Sequence, residues 1–213
     1  MSLAETRPLI LALTGSIGMG KSETSRMFRA LGVPVYDADA AVHGLYDVGG
    51  KAVGPIGDAF PEAVCDGAVD RARLSKVLAG DAGAWKKLEA IIHPLVGEVQ
   101  RDFLVAEIEK GTPLVVMDVP LLFETNGHHR ADYVAVVSAP EHVQRQRVLE
   151  RPGMTAEKLD EILARQLHDT HKRAKADFVI PTDRGLDVAR EHVAAIVRRL
   201  LTDPPAKQAE RLP

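Results

Sequence analysis

Five short apolar runs punctuate the chain, and helical periodicity follows each of them. Leu9–Leu13, Leu114–Met117, Tyr133–Ser138 and Phe178–Ile180 are continuously or nearly continuously apolar, and Val33–Tyr36 is a shorter β-prone segment. Unbroken runs of this length fit strands buried on both faces better than strands with one wet face. After the first run, Met27, Phe28 and Leu31 fall on one helical face before Gly32, which suits a helix stop. Ala40–Leu45 reads as a second helix. From about Val48 to Lys110 no convincing strand appears. Leu74–Leu78, Ala84–Ile92 and Pro94–Lys110 read as helices, with Pro94 in a first turn and Leu95, Val99, Phe103 and Ile108 as an apolar stripe. Pro140 opens a helix carrying Gln144, Arg147 and Arg151 on one face, and Pro152-Gly153 breaks it. Thr155 suits the N-cap of a helix reaching about Gln166, and His168–Lys175 continues in a basic vein. Leu186–Leu201 forms the last helix, with Val188, Val193, Ile196, Val197 and Leu200 on its apolar side. Strands alternating with helices predict an α/β fold: a five-stranded parallel sheet covered on both faces. The helical block between the second and third strands reads as an insertion walling a substrate site, or as a crossover helix with extra turns.

Between the first strand and its helix lies Gly15-Ser16-Ile17-Gly18-Met19-Gly20-Lys21-Ser22, which fits the phosphate-binding pattern G-x-x-x-x-G-K-[ST]. Glycines let the backbone curl until successive N–H groups point at a phosphate chain, and the helix that follows adds the positive end of its dipole. Lys21 would reach the outer phosphates, and Ser22 would offer its hydroxyl to Mg²⁺. The strand–loop–helix order is the context this motif requires.

Composition narrows the partners. The net charge of −3 supplies no global basic field to recruit nucleic acid. No apolar run reaches transmembrane length and no leader precedes the first strand, so a cytoplasmic protein with no membrane partner is expected. The single cysteine, Cys65, has no second with which to form an internal disulfide. The stretch 202–213 carries three prolines among polar residues and is expected to be a loose tail.

Acidic residues follow two of the strands. Asp37 and Asp39 stand just past Tyr36, where open α/β sheets keep their ligands. One is expected to cap the next helix and the other to act, and spacing does not say which. Asp118 ends the Leu114–Met117 run as a Walker-B aspartate would, a candidate Mg²⁺ contact. Leu121-Leu122-Phe123-Glu124 reads either as a substrate groove or as a core-packing turn. The Asn-Lys-x-Asp motif of switch GTPases is absent, since the only asparagine is Asn126, followed by Gly127-His128-His129. A kinase is favoured over a nucleotide-binding switch, because the helical insertion and an arginine-bearing lid would exclude water from a donor phosphate.

These strings together resemble the dephospho-coenzyme A kinase family. The likeness runs from about Leu9 to Leu200 and rests on Ala12 to Ser22, Leu31-Gly32, Asp37-Ala38-Asp39, Arg73-Leu74, His93-Pro94 and Asp118 to Glu124. It continues in Gln144-x-x-Arg147, Arg151, Gln166 and Ala176-Asp177. The resemblance implies a P-loop three-layer sandwich with a nucleotide-binding core (8–45, 112–140 and 176–201), a helical CoA-substrate region (46–111) and a helical lid (141–175). It implies transfer of the ATP γ-phosphoryl group to the ribose 3′-hydroxyl of dephospho-CoA; the alternative is another small-molecule or nucleotide kinase of the P-loop class, and after that a nucleotide-binding switch module. Asp39 matches the family's general base, with Lys21, Mg²⁺ and Arg147 neutralising the transferring group. Gly15, Gly18, Met19, Gly20, Lys21, Ser22 and Glu23 match its ATP contacts. Thr14, Asp39, His93, Pro94, Leu121, Leu122 and Glu124 match its acceptor site. A monomer or weak homo-oligomer is expected. The chain departs from the family at Ser16, where Gly is usual, at Met19, where Ser is usual, and at Glu23, where Thr is common. Pro181-Thr182-Asp183 replaces an asparagine-containing turn on the adenine side.

Overall fold

The computed structural model describes residues 7–205, and residues 206–213 of the expected tail lie outside them. Two compact units are present: one combines the chain up to Tyr36 with Glu107 onward, and the other is Asp37–Ala106.

The first unit is built on a parallel sheet. In chain order the elements of both units are β1 (Leu9–Thr14), α1 (Lys21–Ala30), β2 (Val35–Asp37), α2 (Ala38–Tyr46), α3 (Val53–Ala59), β3 (Val64–Cys65), β4 (Ala68–Val69), α4 (Arg71–Leu78) and α5 (Ala82–Glu109). There follow β5 (Leu114–Asp118), β6 (Tyr133–Ser138), α6 (Glu141–Leu149), α7 (Ala156–Ala164), α8 (Asp169–Ala174), β7 (Phe178–Pro181) and α9 (Leu186–Thr202). Five strands pair in the order β2-β5-β1-β6-β7. β1 is central, with Leu11 opposite Val116 on one side and Tyr133 on the other, both parallel. Alternation along the central strands assigns their side chains to two cores. Leu11 and Leu13 of β1 and Ala135 and Val137 of β6 pack with Met27 and Phe28 of α1 and Val193 and Ile196 of α9. Ala12, Val134 and Val136 instead pack with Leu122 and Phe123. Each fully buried leucine contributes about 1.5–3 kcal/mol, so both sheet faces are stabilised without any polar residue in β1 before Thr14. The chain crosses from β1 to β2 on one side and later to β6 on the other. The loop after β1 therefore sits at the carboxyl end of the sheet where its winding reverses, the usual ligand position.

The second unit has its own core, in which Ile56, Phe60, Leu74, Leu78, Leu88 and Ile92 are buried. It is not all helical. Val64 pairs with Val69 and Cys65 with Ala68 in an antiparallel hairpin. Its turn, Asp66-Gly67, has φ of 52° and 76°, the left-handed pair that a two-residue hairpin requires. The Asp-Gly dipeptide was the readable signal, and strands this short have no periodicity to reveal them. The two expected helices around Pro94 are one, Ala82–Glu109, with Pro94 inside it. Asp81 starts it by accepting from the N–H groups of Gly83 and Ala84. Proline removes one ladder bond, the one owed to the carbonyl of Ala90. Ala90 is exposed, where losing that bond costs least, and the helix continues. Leu95 and Val99 of the expected stripe pack on the core, but Ile108 is exposed and Glu107 is buried in its stead, bonded to Lys110 and Thr112. Among the described residues no helix is long and apolar enough to cross a membrane.

Candidate active site

The phosphate loop joins Thr14 to Lys21 at the carboxyl end of β1. Met19 N–H bonds back to Ser16 O at 3.1 Å, which closes the loop on itself. Two glycines are sterically required. A Cβ on Gly15 would lie 2.3 Å from Val137 Cγ2, and one on Gly18 would lie 2.5 Å from Val148 Cγ2 at a φ of 78°. Strand β6 and helix α6 thus press directly on the loop backbone.

A loop that aims N–H groups inward turns carbonyls outward, and those carbonyls need partners. Here each of three has one. Ile17 O accepts from Gln144 Nε2 at 2.7 Å, Gly18 O from Arg147 Nη1 at 3.5 Å, and Met19 O from Thr182 Oγ1 at 2.8 Å. Arg147 also donates to Thr182, from Nη1 to Oγ1 at 3.1 Å and from Nη2 to the carbonyl at 2.6 Å. Gln166 Oε1 accepts from Ile17 N–H at 3.1 Å. The Met19 side chain is buried, and its Sδ accepts from Ala139 N–H at 3.1 Å. A serine side chain would be too short to fill that core position.

Helix α1 begins at Gly20, whose φ of 91° suits only glycine. Lys21 and Ser22 occupy its first turn, where the helix dipole is most positive. Asp118, almost fully buried at the end of β5, takes both Lys21 Nζ and Ser25 Oγ. Ser22 is exposed, and Glu23 pairs with Arg26 on the helix surface. For a metal, the Ser22 hydroxyl is available and Asp118 is the adjoining carboxylate. The described residues contain no cluster of three or more His, Cys, Asp or Glu able to hold a cation. That donor set suits Mg²⁺ bound mainly by phosphate oxygens and water. Next to the loop is a cavity of about 610 Å³, lined by Met19, Ala139, Leu167, Arg173, Pro181 and Asp183 among others. Thr182 turns away from it toward the loop.

Several expected acceptor residues are already engaged within this unit. Thr14 is fully buried and donates to Pro120 O at 3.1 Å. Leu121 is exposed, whereas Leu122 is a core residue. Glu124 accepts from Leu167 N–H at 2.7 Å and lies 2.9 Å from Nζ of Lys172, which has no exposed surface. Burial pushes the Glu124 carboxyl up, but Lys172, Leu167 N–H and its own backbone N–H outweigh it and hold it below the ordinary carboxylate value. Arg151 lies past the end of α6 and does not share the face of Gln144 and Arg147, because that helix stops at Leu149. Gln166 is likewise beyond its helix, and that release from α7 lets its side chain turn to Ile17.

In the second unit the two aspartates divide. Asp37 caps α2, its Oδ1 accepting from Ala40 N–H at 3.0 Å. Asp39, in the first turn, is exposed and makes no hydrogen bond or ion pair among the described residues. It lines a groove of about 470 Å³ with His43, Tyr46, Arg71 and Trp85. His93 and Pro94 are exposed on α5.

Residues 9–187 match the dephospho-CoA kinase family. The chain belongs to that family. It is 55% identical over 192 residues to a dephospho-CoA kinase of Mesorhizobium japonicum, an alignment covering 90% of this chain and 96% of that one. It is 50% identical over 205 residues to one from Rhodopseudomonas palustris, covering 96% and 100%. A crystal structure of a Thermus thermophilus protein superposes with a TM-score of 0.78 at 32% identity, covering 92% of this chain and 99% of that one. A dephospho-CoA kinase from Campylobacter jejuni superposes at 0.64 and 20% identity, covering 90% and 97%, which shows the shared fold. In this member of the dephospho-CoA kinase family, three residues stand beside expected site residues in ways not readable from sequence: Thr182 holds the phosphate loop at Met19, Lys172 pairs with Glu124, and Arg71 lines the groove of Asp39. Thr182 stood out only as a departure from the family turn. Lys172 sat in a basic run expected to belong to the lid, and Arg71 carried no motif.

Proposed function

We propose that this protein transfers the γ-phosphoryl group of ATP to the ribose 3′-hydroxyl of dephospho-CoA, giving CoA and ADP. The observation that carries the reading is family membership over residues 9–187, with an intact, fully tethered phosphate loop inside that span. The loop N–H groups and the start of α1 would hold the β- and γ-phosphates without reorganising during the reaction. Lys21 would exchange Asp118 for phosphate oxygens as ATP enters. Mg²⁺, held by Ser22 and beside Asp118, would neutralise charge on the transferring group. Asp39, free of internal partners, would orient the acceptor hydroxyl and accept its proton as the new P–O bond forms. Arg147 holds Gly18 and Thr182 and would act by fixing the loop's shape; a direct contact to the transferring group would require it to release both. The cavity beside Met19 and Pro181 would take the adenine of ATP. His93, Pro94 and Leu121 belong to the acceptor side in this reading, 46–111 is the acceptor region, 141–175 the lid, and 8–45, 112–140 and 176–201 the nucleotide-binding core. A cytoplasmic monomer or weak homo-oligomer, with no nucleic-acid or membrane partner, completes it.

The test is direct. The protein is incubated with ATP, Mg²⁺ and dephospho-CoA, and CoA and ADP are measured, with adenosine, AMP and shikimate as rival acceptors. Formation of CoA alone is expected. Turnover of a rival acceptor and not of dephospho-CoA would replace the reading with another kinase of this fold.

A further inference from the structure

Lys172 is the only buried lysine among the described residues, and its Nζ lies 2.9 Å from Glu124 Oε1. A buried ion pair is a poor device for stability alone, because attraction barely offsets the desolvation of both charges and two apolar side chains serve as well. What an apolar pair lacks is a strong acceptor. Glu124 uses the same oxygen to accept from Leu167 N–H at 2.7 Å. That N–H lies in the connection between α7 and α8, just past the turn closed by Arg165 N–H on Ile162 O and Gln166 N–H on Leu163 O. The Leu167 side chain packs on the core of Leu122 and Phe123, so side chain and backbone are both held. Helix α8 is fixed at a second point, where Asp169 takes Ser138 Oγ at 2.8 Å and pairs with Arg173 at 2.9 Å. Gln166 immediately precedes the held Leu167. Its Oε1 accepts from Ile17 N–H at 3.1 Å, while Gln144 Nε2 donates to Ile17 O at 2.7 Å. The two glutamines clamp Ile17 from either side, in the bend of the phosphate loop where no helix or strand supports the backbone. Gln144 stands on a regular helix, α6. Gln166 lies outside any helix, so its aim depends on Leu167, and Leu167 depends on Glu124.

We propose that Lys172 is a positioning residue for nucleotide binding: with Glu124 it pins Leu167 and so holds Gln166 against Ile17, keeping the phosphate loop in its binding shape. The proposal rests on the kinase reading above and gives Glu124 a part on the donor side in place of an acceptor contact. Lys172 keeps the Glu124 carboxylate charged and turned toward Leu167. Without the clamp the loop must be ordered as the phosphates arrive, and that ordering is subtracted from affinity.

Support of the loop and support of the fold are separated by measuring two quantities on each variant: Tm, and the Kd for ATP with Mg²⁺ by calorimetry. No acceptor is present, so an error in the acceptor assignment does not disturb the result. Gln166→Ala removes the clamp without stranding a charge. Its Kd for ATP should rise about three- to tenfold, the worth of one hydrogen bond, with Tm little changed. Lys172→Met leaves Glu124 buried without its cation, so Tm should fall and the Kd for ATP should rise by the same factor. Adding Glu124→Leu to Lys172→Met removes both charges; Tm should recover while the Kd stays raised, and this pair carries the comparison should Lys172→Met alone not fold. In Gln166→Ala combined with Lys172→Met the factor should be no larger than in either alone, because both act on one clamp. If the lysine variants bind ATP normally whatever their Tm, the ion pair supports only the fold; the proposal fails and the kinase reading stands. Multiplied effects in the combined variant would mean that Lys172 and Gln166 act separately, which also overturns it. Tighter ATP binding by Gln166→Ala would show Gln166 occupying the place of a phosphate oxygen, the reverse of the proposed role. An unaltered protein that binds no ATP would remove the kinase reading and the proposal together.

Discussion

Lys21, Arg147 and Lys172 in the sheet unit all have their charge or N–H groups committed inside the protein, to Asp118, to the Gly18 and Thr182 carbonyls, and to Glu124. Asp39 and Arg71 in the helical unit have no partner of opposite charge. The first arrangement fixes a phosphate cradle before any ligand arrives. The second leaves one acid and one base for a ligand to satisfy. In the proposed reading, donor binding would draw on preorganisation and acceptor binding on charges held in reserve.

Removing Lys21 should break the first half of that contrast most severely. A cation on a transferring phosphoryl group is worth about 10³–10⁵-fold in rate, so Lys21→Ala should lower kcat by that order. Thermal melting separates this from a folding defect, since Asp118 is left buried without its cation and some loss of Tm is expected too. Retained turnover would remove Lys21 from the chemistry. For Asp39→Asn, kcat should fall by about 10²–10⁴-fold with little change in Tm, because the side chain supports nothing in its own unit. Near-normal turnover there would leave the free carboxylate without a role.

How much of this was legible beforehand differs between the units for a physical reason. The strands of the sheet are continuous apolar runs, and the loop's composition is dictated by close approaches at Gly15 and Gly18. Burial on both faces writes itself into composition. The hairpin at Asp66-Gly67 is too short to show a period. Pro94 reads as a helix start unless one knows that Ala90 is exposed and can lose its bond. That Asp37 caps and Asp39 does not depends on which N–H its oxygen reaches, a matter of one helical turn. Arg147 was legible as a basic residue on a helix beside the site. Its attachment to Gly18 and Thr182 depends on β7 ending beside the loop, which no local pattern encodes.

Smaller effects sharpen the comparison. Thr182→Val keeps the shape and removes the hydroxyl that joins Met19 O to Arg147. It should raise the KM for ATP about tenfold, the value of one or two lost hydrogen bonds, while Thr182→Ser restores it. If kcat falls instead with the KM for ATP unchanged, Arg147 and Thr182 act on the transferring group and not on the cradle. The smallest effect concerns Glu124. Its carboxyl is held below the ordinary 4.5 in the folded protein, so it favours folding above that pH and the contribution is lost as pH falls through the lowered value. Urea melts should lose stability as pH drops below about 4.5, and Glu124→Gln should flatten that decline. An unchanged slope would mean that other carboxylates carry it.

In the proposed reaction the phosphate held by the cradle is donated and the ribose 3′-hydroxyl of dephospho-CoA accepts it. Phosphorus NMR of a reaction containing ATP, Mg²⁺ and dephospho-CoA reports both ends at once. The expected spectrum gains a 3′-phosphomonoester signal of CoA in step with ADP, and Asp39→Asn slows both together. ADP appearing with inorganic phosphate and no new monoester would contradict it, and would leave a nucleotide-hydrolysing module in place of a kinase.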